Sequence, residues 1–330
     1  MMILGGDIGG THARLALFDD DGGVLATPRE RVYPSRDHRG LHEVVRRFVD
    51  ETGSRPSVAC FGVAGPVRNG RSVTTNLPWV VDAAELGDVL DARVWVINDL
   101  EATGWGIAAL APGALAELAP GAPGAAGNAA VIAAGTGLGE AGLYWDGRHH
   151  RPFATEGGHA SFAPHDDLEA ELLVWLRRRF PGHVSWERLV SGPGLVTLYE
   201  FLRDTGRGDE PPALAAAMRA GDPGAAISAA ALDGSSPLAA HALDRFVALY
   251  GAEAGDLALK VMATGGVYLG GGIAPRILAK LQDGTFLRRF LDKGRMRPLL
   301  EAIPVRVILD PDTALLGAAR YAAVRAREAR

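Results

Sequence analysis

Residues 3–8 form an apolar run broken only by glycine and one aspartate, and residues 13–18 resume a strand-like alternation after Gly9-Gly10-Thr11. Two such runs about a glycine-rich turn predict a β-hairpin. A turn cluster, Asp19-Asp20-Asp21-Gly22-Gly23, precedes a third predicted strand over residues 24–32. Its three aspartates lack the later glutamate of a calcium loop and read as a solvated turn. Leu41, Val44, Val45, Phe48 and Val49 fall at helical spacing, so an amphipathic helix is expected to end near Gly53. A strand follows over residues 58–63, then Ala64-Gly65-Pro66-Val67 and a loop through residues 74–79. Asp82 can cap a short helix to about Leu90, and the apolar strand 94–97 runs into Asn98-Asp99. Alternating strands and helices place this first third in the α/β class.

Residues 111–128 are rich in Ala, Gly and Pro, lack strong periodicity, and read as a boundary or surface loop. A strand over residues 129–134 then enters Gly135-Thr136-Gly137-Leu138-Gly139, and a further strand-like run covers residues 141–145. The opening pattern of strand, glycine–threonine turn and strand has recurred. Beyond it the chain reads as mainly helical, with helices over residues 168–180, around 196–202, and over 237–262. A third glycine cluster, Gly265-Gly266 through Gly270-Gly271-Gly272, brackets a short strand before Pro275 opens a helix. Residues 305–309 form a last strand and residues 313–326 a terminal helix.

Composition adds limits. At 330 residues the chain exceeds the usual size of one core, so two domains are expected. A formal net charge of −5 gives no general attraction to nucleic acid or to an anionic membrane. The single cysteine, Cys60, excludes an intrachain disulfide and a cysteine-cluster zinc site, and its apolar surroundings read as a small buried hydrophobe. The chain enters a strand almost at once, and its apolar stretches are interrupted well short of a membrane span. A cytoplasmic protein is expected.

None of the three glycine clusters is a Walker loop, because no Gly-Lys-Ser/Thr follows. The second begins like a dinucleotide fingerprint, but a strand follows it where such a site needs a helix. Hairpin-borne turns at two distant points suggest related halves that each offer backbone N–H groups to the phosphates of one nucleotide. Three merely structural turns are the alternative. Phosphoryl transfer to an alcohol further needs a carboxylate to accept the proton, and Asp99 lies just past a buried-looking strand. Read alone, Asn98-Asp99 is equally a helix cap. Glu156 and His159 are separated by two glycines, so they share a tight turn. They suit the hydroxyls of a sugar, or a metal, whereas Glu187 read alone is a solvated helix residue.

Taken together, Asp7-Ile8-Gly9-Gly10-Thr11 and Ala134-Gly135-Thr136-Gly137-Leu138-Gly139 resemble the two phosphate motifs of the sugar kinase/actin/heat-shock ATPase superfamily. Gly265-Gly266 through Gly270-Gly271-Gly272-Ile273-Ala274-Pro275-Arg276 is similar to its adenosine motif. Within it the chain resembles the bacterial ATP-dependent glucokinase family, through Ile97-Asn98-Asp99, Glu156-Gly157-Gly158-His159 and Ser191-Gly192-Pro193-Gly194 in family order. The resemblance implies a two-domain actin-like (ribonuclease H-like) α/β fold. Residues 1–110, with 311–330 packing back, would form the small domain and residues 111–310 the large one, and sugar and ATP would bind in the cleft between them. It implies phosphorylation of D-glucose at C6 by ATP with Mg²⁺, the first step of glycolysis, and a homodimer is expected.

By the same resemblance Asp99 is the general base, and Asn98, Glu156, His159, Glu187, Thr75, Asn76 and Gly137 contact the sugar. Gly6, Asp7, Ile8, Gly9, Gly10, Thr11, Gly135, Thr136, Gly137, Gly271 and Gly272 hold ATP, and Asp7 orients the hydrated metal. The related repressor–kinases carry a structural zinc on a cysteine-rich motif; its absence points to the zinc-free branch. Two positions depart from the family pattern. His12 stands where asparagine is common, and Glu101 adds a carboxylate after Asp99 that reads as solvated. A kinase for another hexose or amino sugar, a polyphosphate-using glucokinase and a sugar-responsive regulator are the alternatives; regulators carry a DNA-binding segment before the first phosphate motif, which here starts at Asp7.

Overall fold

The computed structural model describes residues 1–21, 24–74, 77–111 and 113–328. The chain divides into two compact units, one of residues 1–114, 149–154 and 310–330, the other of residues 115–148 and 155–309.

The first unit is built on the opening hairpin. β1 (Met2–Ile8) pairs antiparallel with β2 (His12–Asp21), from Met2 opposite Asp19 to Ile8 opposite Ala13. β3 (Val24–Pro34) continues the antiparallel edge, while β4 (Val58–Val63) and β8 (Arg93–Asn98) add in parallel, giving the order β3-β2-β1-β4-β8. Successive strand residues face opposite sides, so the sheet feeds two cores. Leu4, Ile8, Leu15 and Leu17 meet Val44, Val45 and Phe48 of α1 (Leu41–Thr52) on one face. Ile3, Ala16, Phe18, Cys60 and Ile97 meet Leu315, Ala318, Ala319 and Ala322 of the C-terminal helix (Thr313–Glu328) on the other. Each large aliphatic side chain so buried is worth roughly 1.5–3 kcal/mol. α1 ends where Gly53 takes a left-handed φ of 64° and its N–H reaches the Val49 carbonyl at 2.8 Å. α2 (Ala83–Leu90) starts on Asp82, whose carboxylate accepts from the Ala84 N–H at 2.9 Å. α3 (Asp99–Ile107) follows β8 directly and packs on the C-terminal helix. That approach is close: a Cβ on Gly317 would collide with the Ala102 carbonyl, and one on Gly106 with the Thr313 carbonyl.

The second unit repeats the opening arrangement. β10 (Ala129–Ala134) pairs antiparallel with β11 (Leu138–Trp145) across the second glycine turn, and parallel with the strand Gly266–Gly270. The order β11-β10-(Gly266–Gly270) thus matches β2-β1-β4. The strands Val305–Ile308 and β9 (Leu115–Ala119) extend the sheet. Its core is filled by α5 (Gly192–Asp204) and the long α8 (Pro237–Val261), through residues such as Leu198, Phe201, Phe246 and Tyr250. Ser191 and Ser236 cap these two helices, their hydroxyls accepting from Gly194 and Ala239 N–H.

Two expectations are corrected and one small sheet is added. Residues 111–128 contain the strand β9, which has no β-branched residue and owes its form to pairing with Val305–Ile308. Around the expected loop of residues 74–79, three short strands that had no sequence signal, β5 (Val67–Arg68), β6 (Arg71–Val73) and β7 (Val80–Asp82), make a small antiparallel sheet. The aspartates 19–21 belong to β2, and Asp20 is not solvated; its side chain is 6% exposed and accepts from Arg327 Nη2 at 2.5 and 2.6 Å.

Candidate active site

In the first unit, the turn between β1 and β2 is closed by the Gly9 N–H, which donates to the His12 carbonyl at 2.9 Å. Ser35 holds it from outside, its hydroxyl donating to the Gly9 carbonyl and its N–H to the Thr11 carbonyl, both at 2.9 Å. Asp7 closes β1 opposite Arg14. Burial pushes the Asp7 carboxyl up, Arg14 opposes this and Asp312 adds to it. Arg14 is itself anchored: it donates to Glu30 at 2.7 Å, to the Pro311 carbonyl at 3.1 Å and to Asp312.

Asn98 and Asp99 sit at the β8–α3 junction. Asn98 is the N-cap of α3, its Oδ1 accepting from Leu100 N–H at 2.9 Å and Glu101 N–H at 3.3 Å. Its amide nitrogen has two donors, and Gly65 O takes one at 3.3 Å. Asp99 is the first helical residue, half-buried, with Oδ1 accepting from Leu100 N–H at 2.9 Å. The positive end of the helix therefore faces its carboxylate. Gly62 on β4 makes room for this start, since a Cβ there would lie 2.9 Å from Ala102 Cβ. Asn-x-x-Glu at a helix start is a capping box, and the Glu101 carboxylate accepts from the Asn98 backbone. Glu101 is half-buried and its carboxyl is pushed up to about 7, chiefly by burial, which corrects its reading as a solvated residue.

In the second unit, Gly135 N–H donates to the Gly137 carbonyl at 2.9 Å, and Gly192 N–H at the start of α5 to the Gly135 carbonyl at 2.8 Å. Open space faces both Gly135 and Gly272. Gly271, at a φ of 77°, lies against the Ala134 carbonyl where a Cβ would collide, so the third glycine cluster abuts the second glycine turn. Glu187 sits on the short 3₁₀ turn Trp186–Arg188. Its Oε2 accepts from Leu138 N–H at 3.0 Å and lies against Gly137, where only a glycine leaves it room. Its Oε1 stands 4.0 Å from His159 Nδ1, and His159 Nε2 stands 4.0 Å from Glu156 Oε2. These gaps are too long for hydrogen bonds and leave each group with capacity for a ligand hydroxyl.

The 3₁₀ turn Gly157–His159 is braced by residues that carried no motif. The Gly157 N–H donates to Thr155 Oγ1 at 3.2 Å, and the Thr155 hydroxyl donates to the Glu140 carbonyl at 3.0 Å. His183 Nε2–H donates to the His159 carbonyl at 2.9 Å. The structure thus groups Asp7 with the first turn, Asn98 with Asp99, and Glu156, His159 and Glu187 with the second turn. Thr75 and Asn76 lie outside the described residues. Among the described residues no three His, Cys, Asp or Glu side chains are grouped to hold a metal, and no helix is long and apolar enough to cross a membrane.

The sequence model of the family described as Glucokinase matches residues 4–325. The chain belongs to the glucokinase family. It is 43% identical to the glucokinase of Trichormus variabilis over 98% of this chain and 99% of that protein. It is 40% identical to that of a Synechocystis species over 97% of each. The solved structure of a glucokinase from an Antarctic psychrotroph matches with a TM-score of 0.83 at 33% identity, covering 98% of this chain and 99% of that one. The fold is that of the two-domain, actin-like sugar kinases.

Proposed function

We propose that the chain transfers the γ-phosphoryl group of ATP to the C6 hydroxyl of D-glucose, giving glucose 6-phosphate and ADP. One observation carries the reading: Glu187 serves two turns, holding Leu138 at the end of a glycine turn through Oε2 and facing His159 through Oε1. A phosphate-type turn and a cluster suited to hydroxyls share one carboxylate, as transfer from a nucleotide to an alcohol requires. Family membership supports the reaction class.

In this reading Asp99 accepts the proton of the C6 hydroxyl as its oxygen bonds to phosphorus. Glu156, His159, Glu187 and the free donor of Asn98 hold the sugar, with Thr75 and Asn76 as further contacts. Backbone N–H groups of residues 9–11 and 135–137 cradle the phosphates, and Gly271 and Gly272 border the nucleoside. Mg²⁺ belongs to the same proposal. Asp7 offers a hard oxygen donor beside the first turn, and a divalent cation nearby would favour the ionised form that burial disfavours. When bound, the metal neutralises charge on the phosphate oxygens. The homodimer and a cytoplasmic setting, where ATP is supplied, complete the proposal; light scattering at assay concentration tests the former.

A coupled ADP-release assay over glucose, fructose, mannose and N-acetyl sugars, with and without Mg²⁺, tests the reaction. Glucose should give the highest kcat/KM, and chelation of Mg²⁺ should abolish turnover. Preference for another sugar would reassign the substrate, turnover with polyphosphate would reassign the donor, and no turnover with any sugar would sink the proposal.

A further inference from the structure

Behind the Gly157–His159 turn, two carboxyl groups meet inside the second unit. Glu140 lies on β11 and Glu253 on α8; they are 2% and 0% exposed. Glu253 Oε1 has a cation, Lys260 Nζ, at 3.3 Å. Glu253 Oε2 and Glu140 Oε1 are fully buried and, among the described residues, meet no donor. The Tyr250 hydroxyl is already used, donating to the Ile132 carbonyl at 3.1 Å, opposite Glu140 in the β10–β11 register, and the Thr155 hydroxyl donates to the Glu140 carbonyl. Two carboxylates and one ammonium would leave the site with an uncompensated charge and two orphaned acceptors, both costly in a buried place. One proton between the carboxyls removes both faults, because the protonated group donates to its neighbour and the site becomes neutral with Lys260.

We propose that Glu140 and Glu253 share one proton, and that this pair positions the turn carrying Glu156 and His159. Glu140 bears on that turn twice. Its carbonyl receives the Thr155 hydroxyl, which in turn receives the Gly157 N–H. Its Oε2 lies so close to Gly157 that a Cβ there would collide with it. A displacement of the Glu140 side chain therefore has no slack before it reaches the backbone between Glu156 and His159. Both carboxyls are held above the ordinary range, mainly by burial and, for Glu253, by the neighbouring Glu140 charge. Asp256 acts in the same direction, Lys260 against it, and Lys293 is occupied with Asp256 at 2.6 Å and the Ala252 carbonyl at 2.9 Å. Loss of the proton leaves two carboxylates in contact, and the yielding element is the glycine turn. Glu140 and Glu253 are positioning residues in this account, and their effect falls on sugar affinity and not on the chemical step.

The sugar role rests on the proposed function; the shared proton does not. Infrared difference spectra near pH 7 should show a protonated-carboxyl C=O band in the native protein that is lost in both Glu140→Gln and Glu253→Gln. Glucose KM, and glucose affinity by calorimetry, should hold steady at lower pH and weaken by up to about tenfold per pH unit above the point where the proton leaves, with kcat nearly unchanged. Glu253→Gln keeps a permanent donor towards Glu140 and should remove that alkaline rise while retaining native affinity at pH 7. Glu253→Ala should weaken affinity at every pH. An unchanged band in the two glutamine variants would overturn the shared proton. A flat native KM profile, a rise that persists in Glu253→Gln, or a dependence on Na⁺ or K⁺ without the band would overturn the positioning role. If no sugar is bound or turned over at any pH, the proposed function fails, while the infrared result still decides the pair.

Discussion

Glu187 Oε2 accepts the Leu138 N–H at 3.0 Å, which ties the 3₁₀ turn Trp186–Arg188 to the end of the second glycine turn. Replacement by alanine removes a proposed sugar ligand and also strands a backbone donor, a loss of about 1–3 kcal/mol for the latter alone. Glu187→Ala should therefore raise KM for glucose and for ATP together, glucose by roughly tenfold to a hundredfold. Steady-state kinetics in both substrates reads this. A rise confined to glucose would mean that the carboxylate does not organise the phosphate turn.

Asp99 offers a cleaner separation of structure from chemistry. An asparagine at the same place keeps an oxygen for the Leu100 N–H at the start of α3 but cannot accept a proton. Asp99→Asn should lower kcat by about 10²- to 10⁴-fold, with glucose affinity and melting temperature close to native. A variant with near-native kcat would show that another group is the base.

What could be read from the sequence depended on whether the signal was local. Both hairpins, α1 and α8 announce themselves by period and by their turn or cap residues, and the chemistry-bearing motifs keep their letters in order. β9 could not be read, because Leu-Ala-Glu-Leu-Ala becomes a strand only when Val305–Ile308 lies beside it. The alanine-rich helix Pro223–Leu232 shows little amphipathic contrast, which leaves no periodic signal to read. The supports of the candidate site were hidden for the same reason. His183, Thr155 and Glu140 reach the Gly157–His159 turn through tertiary contacts. Only the Asn-x-x-Glu capping box around Glu101 was present as a local signal.

The seam between α3 and the C-terminal helix should tolerate no added methyl group. A Cβ on Gly317 would collide with the Ala102 carbonyl, a backbone atom that cannot rotate away. Gly317→Ala should destabilise the first unit by about 1–3 kcal/mol, the usual cost of overpacking, even though alanine is the better helix former. Denaturant titration measures it. A variant as stable as the native protein would show that the two helices separate freely.

Glu101 gives stability a pH dependence whose sign can be worked out. Burial pushes its carboxyl up to about 7 in the folded chain against the ordinary 4.5, so the folded state binds this proton more tightly than the unfolded state does. Its favourable contribution is complete below pH 4.5, fades as pH rises through that interval, and is gone above about 7, where folding must accept a buried carboxylate. The Asn98 backbone and the Trp105 side chain relieve it only in part, and burial prevails. Glutamine cannot ionise, yet it can still serve the capping box towards Asn98. Glu101→Gln should therefore raise the melting temperature above pH 7 and leave it nearly unchanged at pH 5, so that the difference between variant and native grows across that interval. Calorimetric melts at half-unit steps of pH would show it, and a difference that stays constant with pH would mean that Glu101 ionises as freely in the folded chain as in the unfolded one.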